Sequence, residues 1–247
     1  MRVLVTGASR GIGRAVASAL LRDRARVALA VRDPGAVAPL LAASPSAVAV
    51  PVDLLDAAQT ESLVDRACAE LGGLDALVNC AGIVHYTPLA QLTRAQLLEQ
   101  LEVNFVAPCV LSQRAALQMR ASGQGGAIVH VASTLGVKPA PDTAAYAATK
   151  AALISLTQSL ALEFGVDRVR VNALAPGVID TDMIRAARSA SGTDSLTPEA
   201  QLERLRGLHL LQRLGTPADV AEAVLYLLHA EFVTGTVLTV DGGLLLG

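Results

Sequence analysis

The chain has 247 residues, 52% hydrophobic and 17% charged, a composition that excludes intrinsic disorder. A formal charge of -2, a pI near 6.1 and 20 scattered basic residues give no electrostatic footprint for nucleic acid or an anionic membrane, so a small-molecule or protein partner is expected. Pro34 to Val52, the longest uncharged stretch, carries Pro34, Pro39, Pro45 and Pro51 and cannot be a membrane-spanning helix.

Other bounds follow from small counts. Only Met1 to Val5 precede the first glycine motif, which leaves no room for a cleavable signal, and the three cysteines (Cys68, Cys80, Cys109) have no CxxC spacing. A cytoplasmic chain without a disulfide framework or zinc cluster is expected, folded as one domain over residues 1–247. Of the 20 Lys+Arg residues only Lys138 and Lys150 are lysine, so each invites a specific explanation.

Apolar runs of strand length alternate with helical patterns along the chain. Val3–Val5 precedes a helix from about Ile12, Val27–Val31 a helix near Val37, Val48–Val50 the helix Ala57–Glu70, and Ala76–Val78 one long helix Arg94–Met119. Ile128–Val131, Val169–Ala173 and Val237–Val240 continue the series, interleaved with helices Ala144–Phe164 and Ala218–Leu228. The expectation is an α/β fold, a doubly wound, Rossmann-type, seven-stranded parallel sheet with helices on both faces. Met183 to Leu211, more polar and holding Ser189, Gly192 and Pro198, reads as a mobile helical lid.

The first strand runs into TGASRGIG, Thr6 to Gly13. Gly7, Gly11 and Gly13, with Ser9, Arg10 and Ile12 between them, suit a tight strand-to-helix turn whose backbone approaches a pyrophosphate at a positive helix N-terminus. A glycine-rich turn without ligand is the alternative. The same letters spell GxSxG around Ser9, but a hydrolase elbow needs an oxyanion loop from an earlier strand, and too little chain precedes Ser9. Where the second strand of a dinucleotide site offers a carboxylate to ribose, this strand ends Ala30-Val31-Arg32. Arg32, with Arg10 facing the same group, suits a 2′-phosphate, which favours NADP(H) over NAD; a solvated strand-end arginine is the alternative.

Ser133 follows the fifth strand, and Tyr146 and Lys150 lie four apart on one helical face. An ammonium beside a phenol favours phenolate, so the spacing predicts a lowered Tyr146 pKa and acid–base chemistry near neutral pH, with Ser133 holding a carbonyl oxygen. Alone, such a pair also occurs as a surface tyrosine beside a solvated lysine.

Together these residues resemble the short-chain dehydrogenase/reductase family over essentially the whole chain: TGASRGIG, Asp53 after the third strand, Asn79-Cys80-Ala81-Gly82 after the fourth, Asn104, Ser133, Tyr146 with Lys150, and Pro176-Gly177 through Thr181. The resemblance implies a catalytic tetrad of Asn104, Ser133, Tyr146 and Lys150, in which Tyr146 is the acid/base, Lys150 also binds nicotinamide ribose and Asn104 supports a water. It implies cofactor contacts from Asp53 and Leu54 at the adenine, from Asn79, Ala81 and Gly82, and from Pro176, Gly177 and Thr181. It also implies a homotetramer. Within the family the chain is similar to the 3-oxoacyl-acyl-carrier-protein reductases, which implies reduction of an acyl thioester in fatty-acid biosynthesis, with acyl carrier protein as a partner, or of a small-molecule ketone as in the related carbonyl reductases.

Several positions depart from that pattern: Cys80 and Arg24 replace commoner residues, His229-Ala230-Glu231 is short, and Gln124 and Asp167 stand where basic carrier-docking residues occur, although Arg120 and Arg168 lie nearby. His85 and Tyr86 follow the Asn79 motif, at the strand end where doubly wound sheets hold ligands, and are expected to line the substrate pocket. His130, His209 and His229 lack acidic or thiol neighbours at ligand spacing, so they read as structural histidines and no metal site is expected. A non-catalytic nucleotide sensor and an NAD-dependent secondary-alcohol dehydrogenase are the rival readings.

Overall fold

In the computed structural model, which describes residues 1–184 and 197–247, β1 (Arg2–Thr6) pairs with β2 (Arg26–Val31) on one side and β4 (Ala76–Asn79) on the other. With β3 (Ala47–Pro51), β5 (Gly126–Val131), β6 (Val169–Pro176) and β7 (Val237–Val240) the order is β3-β2-β1-β4-β5-β6-β7, every pairing parallel. Chain direction across the sheet therefore reverses between β1 and β4. That switch point opens a crevice at the carboxyl ends of the strands, where Thr6 stands opposite Asn79.

Strand alternation divides the core. Leu4, Leu77 and Ile128 face helices α3 (Ala57–Leu71), α5 (Ala107–Ser122) and α6 (Ala144–Phe164), while Val3, Val5, Val78 and Val129 face α1 (Gly11–Arg22) and α8 (Pro217–His229). Each fully buried aliphatic side chain contributes about 1.5–3 kcal/mol, and Leu77→Ala would cost about 2–5 kcal/mol. Helix starts are capped as composition suggests: Asp56 accepts from Gln59 N–H, and Thr216 and Asp219 form a capping box.

Two elements differ from expectation. The helix near Val37 is a 3-10 turn, Pro34–Val37, followed by the short α2, Ala38–Ala43. The long helix expected over Arg94–Met119 is α4 (Arg94–Leu101), a π turn (Glu102–Val106) and α5. Pro108 supplies the reason: it lacks the N–H that an α-helix would give to the Asn104 carbonyl, and the ladder widens by one residue. Of the expected lid, the described part is helical at α7 (Pro198–Gly207), capped by Thr197, and residues 185–196 lie outside the described residues. None of the described helices is long and apolar enough to cross a membrane.

Candidate active site

The glycine loop closes on itself and on the next strand. Gly7 has φ +67°, and a Cβ there would lie 2.8 Å from the Ala81 Cα; a Cβ on Gly13 would run into the Gly7 carbonyl oxygen. Thr6 Oγ1 accepts the N–H groups of Cys80 and Ala81, both at 3.1 Å, which ties the end of β4 to the loop. Gly11 faces Thr181 across the crevice, with an added Cβ 3.4 Å from Thr181 Cγ2. The start of α1 carries no acidic residue in its first turn, and Arg10 makes no side-chain cap, so its N–H groups and positive end are left for an anion. Asn79, 2% exposed, donates to Ser112 and has a buried Oδ1 without a partner among the described residues. A cradle, an open helix terminus and a spare acceptor at one switch point fit a nicotinamide dinucleotide.

The remaining expected cofactor contacts are mixed. Arg32 and Arg10 are exposed, and neither guanidinium makes a hydrogen bond or ion pair among the described residues. Asp53 behaves as a turn residue, its Oδ1 accepting from Leu55 N at 3.1 Å. The Leu54 side chain is packed in the core against α3, so only its backbone is left for the crevice. Gly177 is required by packing, since a Cβ would lie 2.9 Å from the Asp241 Cα, and Pro176 ends β6 beside Val240.

On the other side of the crevice the expected tetrad converges. The π turn aims Asn104 inward: its Oδ1 accepts from Ile83 N at 2.9 Å, and its Nδ2 donates to Ile83 O at 2.9 Å and Thr149 Oγ1 at 3.3 Å. Lys150 Nζ, 3% exposed, donates to the Val131 carbonyl at 2.8 Å and stands 5.6 Å from the centre of the Tyr146 ring. A Cβ on Gly82 would approach Asn104 Oδ1 to 3.3 Å and Lys150 Nζ to 3.6 Å, so both groups stand close over the Gly82 backbone. Ser133, two residues beyond the end of β5, accepts from Leu135 N at 3.1 Å and acts on the Tyr146 phenol so as to favour its ionised form. The π turn is what the sequence reading missed, and Pro108 inside the expected helix was its signal.

Electrostatics reverse one expectation. Burial pushes the Tyr146 hydroxyl above the ordinary phenol range, Tyr86 adds to that, and the Ser133 hydrogen bond pulls the other way; the predicted lowering by Lys150 is absent because Lys150 is itself desolvated, its own pKa pushed down to about 8. Tyr86 is close enough to Tyr146 to act on its charge. His85 does not stand free: its Nε2 lies 2.8 Å from Glu99 Oε2, and its backbone N–H is held by the buried Gln100 side chain. Its ring is paired with α4 rather than left free beside Tyr146.

The other histidines are paired. His130 bonds Ser112 and Thr157, His209 bonds Leu205 O and Val178 N, and His229 bonds Leu225 O. Among the described residues no cluster of three His, Cys, Asp or Glu side chains is placed to hold a metal ion.

Residues 7–245 match the family model described as enoyl-(acyl carrier protein) reductase. The chain is 37% identical to D-erythrulose reductase of Gallus gallus, across 99% of this chain and 95% of that protein, and 35% identical to 3-oxoacyl-[acyl-carrier-protein] reductase of Bos taurus, across 97% and 96%. Its fold superposes with a TM-score of 0.90 on a candidate NAD(P)-dependent gluconate 5-dehydrogenase from Beutenbergia cavernae holding NADP at low occupancy, 34% identical over 99% of this chain and 96% of that one.

Proposed function

The chain belongs to the short-chain dehydrogenase/reductase family of oxidoreductases, and from that premise we propose that it reduces a ketone to a secondary alcohol with NADP(H). The reading rests on one observation: the buried Lys150 ammonium stands 5.6 Å from the centre of the Tyr146 ring, and it and the Asn104 amide both line the backbone at Gly82. A nicotinamide cofactor, held by the glycine loop, Asn79, Ala81, Gly82, Thr181 and Lys150, supplies the hydride when bound. Ser133 Oγ orients the carbonyl. Tyr146, its proton retained by burial, gives that proton to the oxygen as negative charge develops there. Lys150 offsets the charge left on the phenolate, and Asn104 sets the turn that a water-linked proton path would use.

Arg10 and Arg32 support NADP(H), because a guanidinium pair without internal partners matches a 2′-phosphate and no carboxylate stands at Val31 to recognise a bare ribose. For the substrate, the 35% identical acyl-carrier reductase supports a 3-oxoacyl thioester, with acyl carrier protein as partner and a cytoplasmic homotetramer as the working form. A free ketone is the second reading. Arg120 supports it, since its guanidinium is taken up by Asp167 at 3.9 Å and lies 5.6 Å from the Phe164 ring, and Arg168 donates to Gly123 O.

NADPH and NADH oxidation measured against an acetoacetyl thioester, a diketone, an aromatic ketone and a cyclic ketone tests all of this. Fastest NADPH turnover on the thioester supports the first substrate, and preference for a free ketone supports the second. Cofactor binding without turnover on any of them leaves a substrate outside the panel or the sensor reading.

A further inference from the structure

His130 is fully buried on β5, on the same face as Ile128, where an aliphatic side chain would extend the core. A ring buried there is unfavourable unless both nitrogens are paired. Both are. Nδ1 lies 2.8 Å from Thr157 Oγ1 on α6, and Nε2 lies 2.8 Å from Ser112 Oγ on α5.

The donors fix the direction of the whole chain of bonds. Thr157 commits its hydroxyl proton to Leu153 O at 2.8 Å, so it accepts from Nδ1–H. His130 is then bare at Nε2 and accepts the Ser112 proton, which leaves Ser112 Oγ to accept from Asn79 Nδ2 at 3.1 Å. Ser112 and Thr157 are 0% exposed, so no water replaces either bond. The charge that acts on the ring is the Lys150 ammonium, which disfavours its protonated form.

The path runs from the lip of the cofactor crevice, through β5, the strand that leads into Ser133, to the helix that carries Tyr146 and Lys150. Thr157 lies two turns beyond Lys150 on the same face of α6. Asn79 lies next to Cys80 and Ala81, whose N–H groups hold the glycine loop through Thr6. We infer that His130 is a positioning residue that registers the Tyr146–Lys150 helix against the cofactor crevice, acting on the helix through Thr157 and on the crevice through Ser112 and Asn79. The inference rests on the ketoreductase reading for what the two ends do.

Its two arms separate by experiment. His130→Gln offers an acceptor at the position of Nε2 and no donor toward Thr157; His130→Asn offers a donor near Nδ1 and no acceptor toward Ser112. Kd for NADPH is read from the fluorescence of the bound nucleotide, kcat from NADPH oxidation with the best ketone of the panel above, and Tm from thermal melts. His130→Gln is expected to lower kcat about tenfold with the Kd for NADPH changed less than about twofold, since small displacements of catalytic groups act on rate. His130→Asn is expected to raise that Kd about fivefold or more and to lower kcat less than His130→Gln does. Equal changes in kcat and Kd in both variants, tracking the loss of Tm, would overturn the inference in favour of a packing role, as would no change in either. If the His130 variants do not fold, Thr157→Val and Ser112→Ala carry the same split. Tyr146→Phe is measured alongside: turnover retained there defeats the ketoreductase reading, while the Kd for NADPH in the Ser112 arm still tests the positioning role.

Discussion

The two sides of the crevice are built on opposite principles. On the catalytic side Asn104, Lys150, His130, Ser112 and Thr157 are nearly or fully buried and each polar group has a named partner, whereas on the adenosine side Arg10 and Arg32 stand in solvent with no partner among the described residues. Proton transfer demands that groups be held to fractions of an ångström, and only a satisfied, close-packed polar lattice does that. On the proposed NADP(H) reading, selecting a cofactor by its phosphate requires charge more than fixed geometry, and an exposed guanidinium supplies charge without desolvation. The contrast predicts that changes on the buried side act on kcat and stability, and on cofactor affinity only where Ser112 and Asn79 carry them to the crevice, while changes on the exposed side act on cofactor affinity alone.

The largest effect belongs to Tyr146. Removing its hydroxyl in Tyr146→Phe should lower kcat by about 10² to 10⁴, the span of a general acid, with NADPH binding by fluorescence nearly unchanged. Next comes Lys150. With its pKa at about 8, the ammonium is lost as pH rises past that value, so kcat/KM for reduction should fall on the alkaline side of about 8; a profile flat to pH 10 would remove Lys150 from the mechanism.

Stability should show the same side of the comparison. Burial lowers the His130 pKa from 6.5 to about 3, with Lys150 adding to the shift. As pH falls from 6.5 toward 3 the unfolded chain binds a proton at this ring and the folded chain does not, so stability is lost over that window, by up to about 1.4 kcal/mol per pH unit. Chemical denaturation at pH 7 and pH 5 checks it: His130→Asn should flatten the difference, and an unchanged slope would mean that other groups carry the acid response.

Much of the catalytic side was legible in the sequence because its residues are read through short-range rules. Tyr146 and Lys150 share a helix, Ser133 follows a strand, and the glycine loop follows the first strand directly. What escaped depends on contacts that spacing does not encode. The π turn at Asn104 follows from one missing N–H at Pro108, which a hydrophobic period does not register. The Tyr146 pKa was expected to fall because proximity to Lys150 is visible in sequence, while the desolvation of both groups is a property of the packed site. The place of His85 after β4 is visible in sequence, and its partner Glu99 comes from a separate helix. His130 was read as a satisfied structural histidine, but its four-element path joins residues from Asn79 to Thr157 that no local pattern connects.

The exposed side is predicted to give smaller and more selective effects. Arg32→Ala removes charge-assisted bonds to a 2′-phosphate, so the KM for NADPH should rise about tenfold with the KM for NADH unchanged; equal effects on both would defeat the NADP(H) assignment. Asp53 is the smallest case and sharpens the contrast, because one carboxylate serves the turn through Oδ1 while its other oxygen has no partner among the described residues. Asn in its place retains an oxygen for Leu55 N–H, so Asp53→Asn should leave Tm unchanged within about a degree, and any rise in the Kd for NADPH should be no more than about threefold. A loss of Tm without a change in Kd would mean that the carboxylate acts only on the turn, and that the adenosine side recognises its cofactor through the arginines.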